Sequence, residues 1–210
     1  MEPMVSEEEV GPNITPIVQE EYVDPPFGTT WSKLMMWLFI VSDALTFAAF
    51  LSAYGILRML APEWPDQTEV FDMRLITFMT FALISSSAFM AMAVGAARAG
   101  DRTAAVRFIG LTIVGGLIFL GAQAFEWTHM IQDGATPWAN PWGVAGFGAS
   151  FFLITGFHGV HVLSGIIIMA VTAVRASAGH YTSNGVENVG LYWHFVDVVW
   201  VFLFAFFYLL

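Results

Sequence analysis

Seven polar side chains able to carry protons or bind metal interrupt otherwise apolar stretches of this 210-residue chain: Asp43, Gln123, Glu126, His158, His161, His194 and Asp197. An ionisable group surrounded by Ile, Leu, Phe and Val needs a partner or a role, because burial disfavours its charged form. Asp43 is the barest, since Phe39, Ile40, Thr46, Phe47 and Phe50 share its helical face. Two readings of it stay open: a proton-accessible carboxyl, or a hydrogen bond that locks two helices together. The other six fall into pairs spaced three apart, Gln123 with Glu126, His158 with His161, and His194 with Asp197. Residues at i and i+3 are neighbours on a helix surface, so three helices each carry a polar pair that could meet in a bundle interior through carboxylate–imidazole hydrogen bonds. Such bonds average under about 1 kcal/mol in membrane proteins, so they specify register more than they stabilise. Haem or metal ligation by the imidazoles is the sharper alternative. It fits poorly, because His158 and His161 turn about 300° around one axis, and His194 lies at a different depth. A proton relay through the carboxylates is a third reading.

The elements that would hold these residues are long and apolar. A helix needs about 20 mostly apolar residues to cross roughly 30 Å of hydrocarbon. Five stretches qualify: Lys33–Leu60, Arg74–Arg98, Ala104–His129, Val144–Arg175 and Gly190–Leu210. The expected fold is therefore all-α, a polytopic membrane protein of five transmembrane helices. The connectors are short and polar, leaving no room between the spans for a soluble catalytic domain. Residues 1–32 hold five prolines and seven of the 17 acidic residues, and read as an acidic arm ahead of a five-helix domain at 33–210. Of the seven basic residues, Lys33, Arg98, Arg102, Arg107 and Arg175 fall on the side of the N-terminus, and only Arg58 and Arg74 on the other. The positive-inside rule then puts the N-terminus and its arm in the cytoplasm and the C-terminus outside. Trp31, Trp64, Trp138 and Trp142 stand near span ends, where interfacial tryptophans belong. Ser87, Ala91, Gly95 and Ala99 form a small-residue ridge that would either admit a neighbouring backbone or simply reflect the tolerance of membrane helices for small residues.

Composition narrows the function classes. The chain is 57% hydrophobic and 11% charged, with a formal net charge of −10 and no cysteine, against about 25% charged in soluble domains. Seven scattered basic residues make no phosphate-binding patch, so nucleic acid is excluded as a partner. Without cysteine there are no disulfides, thiolate metal sites or iron–sulfur clusters, and the acidic N-terminus argues against a cleaved signal peptide. Gly-Val-Ala-Gly-Phe-Gly at 143–148 opens an apolar span with no strand before it, and is no dinucleotide loop.

Two long motifs are recognisable. Tyr192-Trp193-His194-Phe195-Val196-Asp197-Val198-Val199-Trp200 and Thr155-Gly156-Phe157-His158-Gly159-Val160-His161-Val162 closely resemble subunit III of the haem–copper oxidases, as does Gln123-Ala124-Phe125-Glu126. Glu187 resembles an acidic loop position of that family. The resemblance covers roughly residues 31–210, and the five spans look like the short bacterial form. It implies a non-catalytic core subunit of a proton-pumping terminal oxidase in the bacterial plasma membrane, reducing oxygen to water. It would contact subunits I and II, support proton uptake into subunit I and protect it during turnover. Haem and copper are expected in those partners and none in this chain. The resemblance further implies a two-helix bundle (the first two spans) and a three-helix bundle (the last three) separated by a phospholipid-holding cleft, with Arg175 and Glu187 as head-group candidates. Ser42-Asp43 looks like the quinol-oxidising branch, whereas Gln123 and Tyr192-Trp193-His194 look more like the cytochrome c branch, the preferred donor. The alternatives are subunit III of a quinol oxidase, or a small proton-coupled transporter using Asp43, Glu126 and Asp197. A transporter should show an internal repeat or interrupted helices, and the sequence has neither. The loop acids Glu63, Asp66, Glu69 and Asp72 could attract a basic electron donor.

Overall fold

The computed structural model describes residues 28–144, 146–180 and 182–210. Most of the expected acidic arm, residues 1–27, lies outside the described residues. Among the described residues there are helices and no strands: α1 (Trp31–Leu60), a short α2 (Gln67–Val70), α3 (Met73–Arg98), α4 (Arg102–Gln132), α5 (Phe147–Ser177) and α6 (Ser183–Phe204). A π-helical turn, Ala205–Leu209, continues α6. Five of these helices are long and apolar enough to span a membrane.

The helices begin and end on local chemistry. Thr30, Asp72, Asp101 and Thr182 cap α1, α3, α4 and α6 by accepting backbone N–H groups that the first turn leaves without partners. Helices α3, α4 and α5 each end two residues before a glycine of positive φ, with one cap residue between: Gly100 (78°), Gly134 (90°) and Gly179 (85°). In each case the next residue's N–H reaches back across the last turn, Asp101 to Ala96, Ala135 to Met130 and His180 to Arg175. These are Schellman endings, and they turn the chain sharply enough to send the next helix back across the bundle. The start of α6 lies seven residues before the expected Gly190, where the Thr182 side chain caps it, and Glu187 in its second turn is held by two cations.

The division of the helices differs from the expected one. Helix α3, the second span, packs most extensively on α4 and then on α6, whereas α1 leans on α6 and α5. No two-helix unit of the first two spans therefore stands apart from the last three; α6 is the hub that joins both sides. Its buried face carries Trp193, Val196, Trp200 and Leu203. Trp193 slots between two glycines: a Cβ on Gly116 would lie 2.8 Å from its ring, and one on Gly165 equally close. Its indole N–H donates to Ser86 Oγ (3.1 Å), and that of Trp200 to Thr80 Oγ1 (3.0 Å). The small-residue ridge is also placed otherwise than expected. Ala91, Gly95 and Ala99 are exposed, and the close helix approach uses the adjacent face, where a Cβ on Gly115 would meet Ser86 at 2.6 Å.

Candidate functional site: polar contacts within the bundle

Asp43 lies on the buried stripe of α1 formed by Ile40, Asp43, Phe47, Leu51 and Tyr54, spaced three and four apart. That stripe turns it toward α5, where His161 Nε2 stands 3.2 Å from its Oδ2. The geometry is ion-pair reach without the alignment of a full hydrogen bond. His161 Nδ1 is 2.7 Å from the Phe157 carbonyl, which can only accept. The Nδ1 proton is thereby committed, which leaves Nε2 as the ring nitrogen that faces the Asp43 carboxyl. Phe47 and Phe157 pack edge-on against the imidazole at 5.5 and 4.6 Å, which keeps the pair dry.

The three polar pairs do not meet one another as expected. Each finds a different neighbour, because an i, i+3 spacing points two side chains in directions roughly 60° apart. Gln123 donates Nε2–H to the Thr155 carbonyl (2.8 Å), tying α4 to α5, and Gly159 leaves room for its amide. Glu126 accepts from the Tyr208 hydroxyl (3.3 Å) at the end of the chain, and its Oε1 has no partner. His158 is fully buried among Phe119, Trp200 and Phe47, with neither ring nitrogen hydrogen-bonded. His194 Nδ1 meets Ser87 Oγ at 2.7 Å, linking α6 to α3. Asp197 lies beside that same serine, with both oxygens buried and outside hydrogen-bond geometry. Among the described residues no group of three or more His, Asp and Glu is close enough to hold a metal ion.

Two polar sites lie at the helix ends. Glu187 Oε1 bridges Lys33 Nζ (2.5 Å) and Arg98 Nη2 (2.9 Å), so one carboxylate ties α1, α3 and α6 together. Arg175 is exposed and lines a cavity of about 420 Å³ with Thr172, Gly179, His180, Thr182, Gly185 and Val186. At the opposite ends of the helices, Arg58 donates to the Leu210 carbonyl and lies over Trp64. The partners that the sequence left unnamed were Tyr208 for Glu126, Ser87 for His194 and His161 for Asp43. The first two are hydroxyl side chains, which carry no spacing signal.

These contacts define a class: a polytopic helical membrane protein in which Asp43, His161, Gln123, Glu126 and His194 join helices, His158 and Asp197 stay buried without hydrogen bonds, and no convergent ligand set forms among the described residues. The family description "Cytochrome c oxidase subunit III" matches residues 28–210, and the chain belongs to that family. It is 36% identical to cytochrome c oxidase subunit 3 of Synechocystis sp. over 82% of this chain and 73% of that protein. It is 34% identical to cytochrome c oxidase subunit 3 of Corynebacterium diphtheriae over 80% of this chain and 82% of that one. A probable quinol oxidase subunit 3 of Staphylococcus haemolyticus is 30% identical over 83% of this chain and 86% of its own length. The protein is thus a subunit III of a haem–copper oxidase.

Proposed function

We propose that this chain supports proton uptake by subunit I and the stability of subunit I in a proton-pumping oxidase that takes electrons from cytochrome c. The observation that carries the reading is the Asp43–His161 pair, a carboxyl and an imidazole held within ion-pair reach between two membrane-length helices. The chain works without a redox centre of its own, and haem and copper sit in subunits I and II. Phospholipid fills apolar surface of the bundle, such as the groove between α1 and α6 lined by Ala48, Leu51, Val198 and Phe202. Arg175 and the Glu187 cluster meet head groups at the rim.

The test is the Asp43→Asn oxidase, which keeps size and hydrogen bonding but removes titration. Reduced pumping, or faster loss of activity during turnover, supports the reading; wild-type pumping and lifetime over a wide pH range would overturn it. Purified complex should oxidise ferrocytochrome c, and a preference for quinol would reassign the donor to the branch that Ser42-Asp43 resembles. Salt-independent kinetics with the donor would remove Glu63, Asp66, Glu69 and Asp72 from its capture. The N-terminus faces the cytoplasm of a bacterial cell, on the strength of the five basic residues on that side. Because the chain has no cysteine, single cysteines at positions 63 and 178 should be labelled from opposite sides of the membrane.

A further inference from the structure

We propose that the acidic segment ahead of α1 docks, through Glu20, Glu21 and Asp24, on the cavity between the end of α5 and the start of α6, and so competes with lipid phosphate for Arg175. The charges at this end of the bundle do not balance among the described residues. Lys33, Arg98, Arg102, Arg107 and Arg175 stand there against two carboxylates, Asp101 and Glu187. Asp101 caps α4 by accepting the Ala104 N–H, and Glu187 is taken by Lys33 and Arg98. Among the described residues no carboxylate pairs with Arg102, Arg107 or Arg175. Two of those three converge on one space. The cavity holds about 420 Å³, and Arg175, Gly179 and His180 are among its lining residues. Arg102 reaches the same rim from α4, since a Cβ on Gly179 would lie 3.4 Å from its Nη1.

The place where the segment joins the bundle identifies it as the occupant. Asn188 Nδ2 donates to Ser32 Oγ at 3.2 Å, which fixes the start of α1 against the start of α6. Val186, two residues before Asn188, lines the cavity. Gly28, with a φ of 65°, turns the backbone just ahead of that contact. Asp24 is four residues from Gly28 and Glu20 eight, a reach of roughly 13 and 26 Å at about 3.3 Å per residue. That is enough to pass around a helix about 10–12 Å across, and Pro25 and Pro26 favour extended backbone on the way. Exposed ion pairs are individually weak in water, but a short tether supplies the carboxylates at an effective concentration near millimolar. A carboxylate and a phosphate match a guanidinium in the same two-pronged way, so the docked segment withholds Arg175 from head groups until it is displaced.

Because the chain has no cysteine, spin labels on Val23→Cys and Ala178→Cys read the distance from the segment to the cavity in the full chain, by double electron–electron resonance. In a neutral detergent a single short distance is expected. It should lengthen and broaden in Arg102→Gln with Arg175→Gln, in Glu20→Gln with Glu21→Gln and Asp24→Asn, and in 1 M salt, where the screening length falls to about 3 Å. The same distribution under all these conditions overturns the docking, and the second set of substitutions alters no described residue, so damage to the bundle cannot imitate the effect. In phosphatidylcholine nanodiscs the short distance should persist, and phosphatidylglycerol should lengthen it in proportion to the amount added. A long distance already in phosphatidylcholine assigns the cavity to head groups and overturns the segment as occupant; a short distance at every phosphatidylglycerol fraction overturns the competition. The competition rests on the head-group role proposed for Arg175, whereas docking in detergent depends on neither lipid, electron donor nor proton uptake, so the two readings fail separately.

Discussion

Glu187 and Glu126 are both carboxylates drawn away from water, at opposite ends of the same bundle, and the chain answers them differently. Glu187 receives two cations from two other helices, Lys33 and Arg98. Glu126 receives a phenol and borders a cavity whose other acids, Glu69, Asp72 and Asp133, repel it. The first site is electrically closed within one polypeptide. The second is open, and so is Asp43, whose partner among the described residues is an imidazole. A polypeptide that neutralises one acid with two cations, while no lysine or arginine pairs with the other two among the described residues, leaves those two available to protons or to a neighbour.

The largest effect should come from breaking the pair in the middle. His161→Leu strands the Asp43 carboxyl in an apolar setting, and removing one partner of a buried pair should cost roughly 2–3 kcal/mol. Tryptophan fluorescence during unfolding in sodium dodecyl sulfate measures it. Asp43→Leu in the same chain should recover most of the loss, because two apolar groups need no partner; no recovery would mean that the two side chains are not coupled. Next in size is Tyr208→Phe, which takes the one hydrogen bond from Glu126 and should cost about 1 kcal/mol. Its effect should vanish in a Glu126→Gln background if Tyr208 acts through that carboxylate.

Glu187→Gln should be milder. Arg98 is 60% exposed at its side chain and Lys33 30%, so water and salt already screen the attraction, and a loss under about 1 kcal/mol is expected. Added salt should shrink the difference from wild type further. A loss as large as that of His161→Leu, unchanged by salt, would show Glu187 to be shielded as fully as the interior pair.

How far the sequence foretold these sites depends on how local their causes are. The five spans were legible because hydrocarbon demands a run of apolar residues, and a run is visible in one dimension. The interior polar residues were legible for the same reason, as interruptions. Their partners were not, since Asp43 with His161, Ser87 with His194 and Glu126 with Tyr208 join helices far apart in the chain, and helix rotation decides which faces meet. Asp43 and His161 were both singled out, and only packing of α1 against α5 joined them. The expected split between the first two spans and the last three failed for a related reason: chain order does not reveal that α3 would pack on α4 and α6. Helix α2 was also missed within its connector, because it is four residues long and carries no hydrophobic period.

The smallest predicted effect concerns the water-exposed acid of that connector, which sharpens the contrast by having no cation and no burial. Asp66 Oδ1 accepts from the Thr68 hydroxyl (2.6 Å) and from its backbone N–H (2.8 Å), capping α2. Those hydrogen bonds favour the carboxylate and hold Asp66 below the usual carboxyl range. With the folded value below the unfolded one, the contribution is fully present above about pH 4 and is lost as pH falls through the folded value. Carbon-13 titration of the Asp66 carboxyl in the full chain should give a midpoint below the ordinary aspartate range, and Thr68→Val, which removes the hydroxyl donor, should raise it. Asp66→Asn still caps the helix, so it should leave α2 in place and remove this titration. A midpoint for Asp66 in the ordinary range would show that the cap exerts no electrostatic pull in water, confining such effects to the carboxylates that the bundle buries.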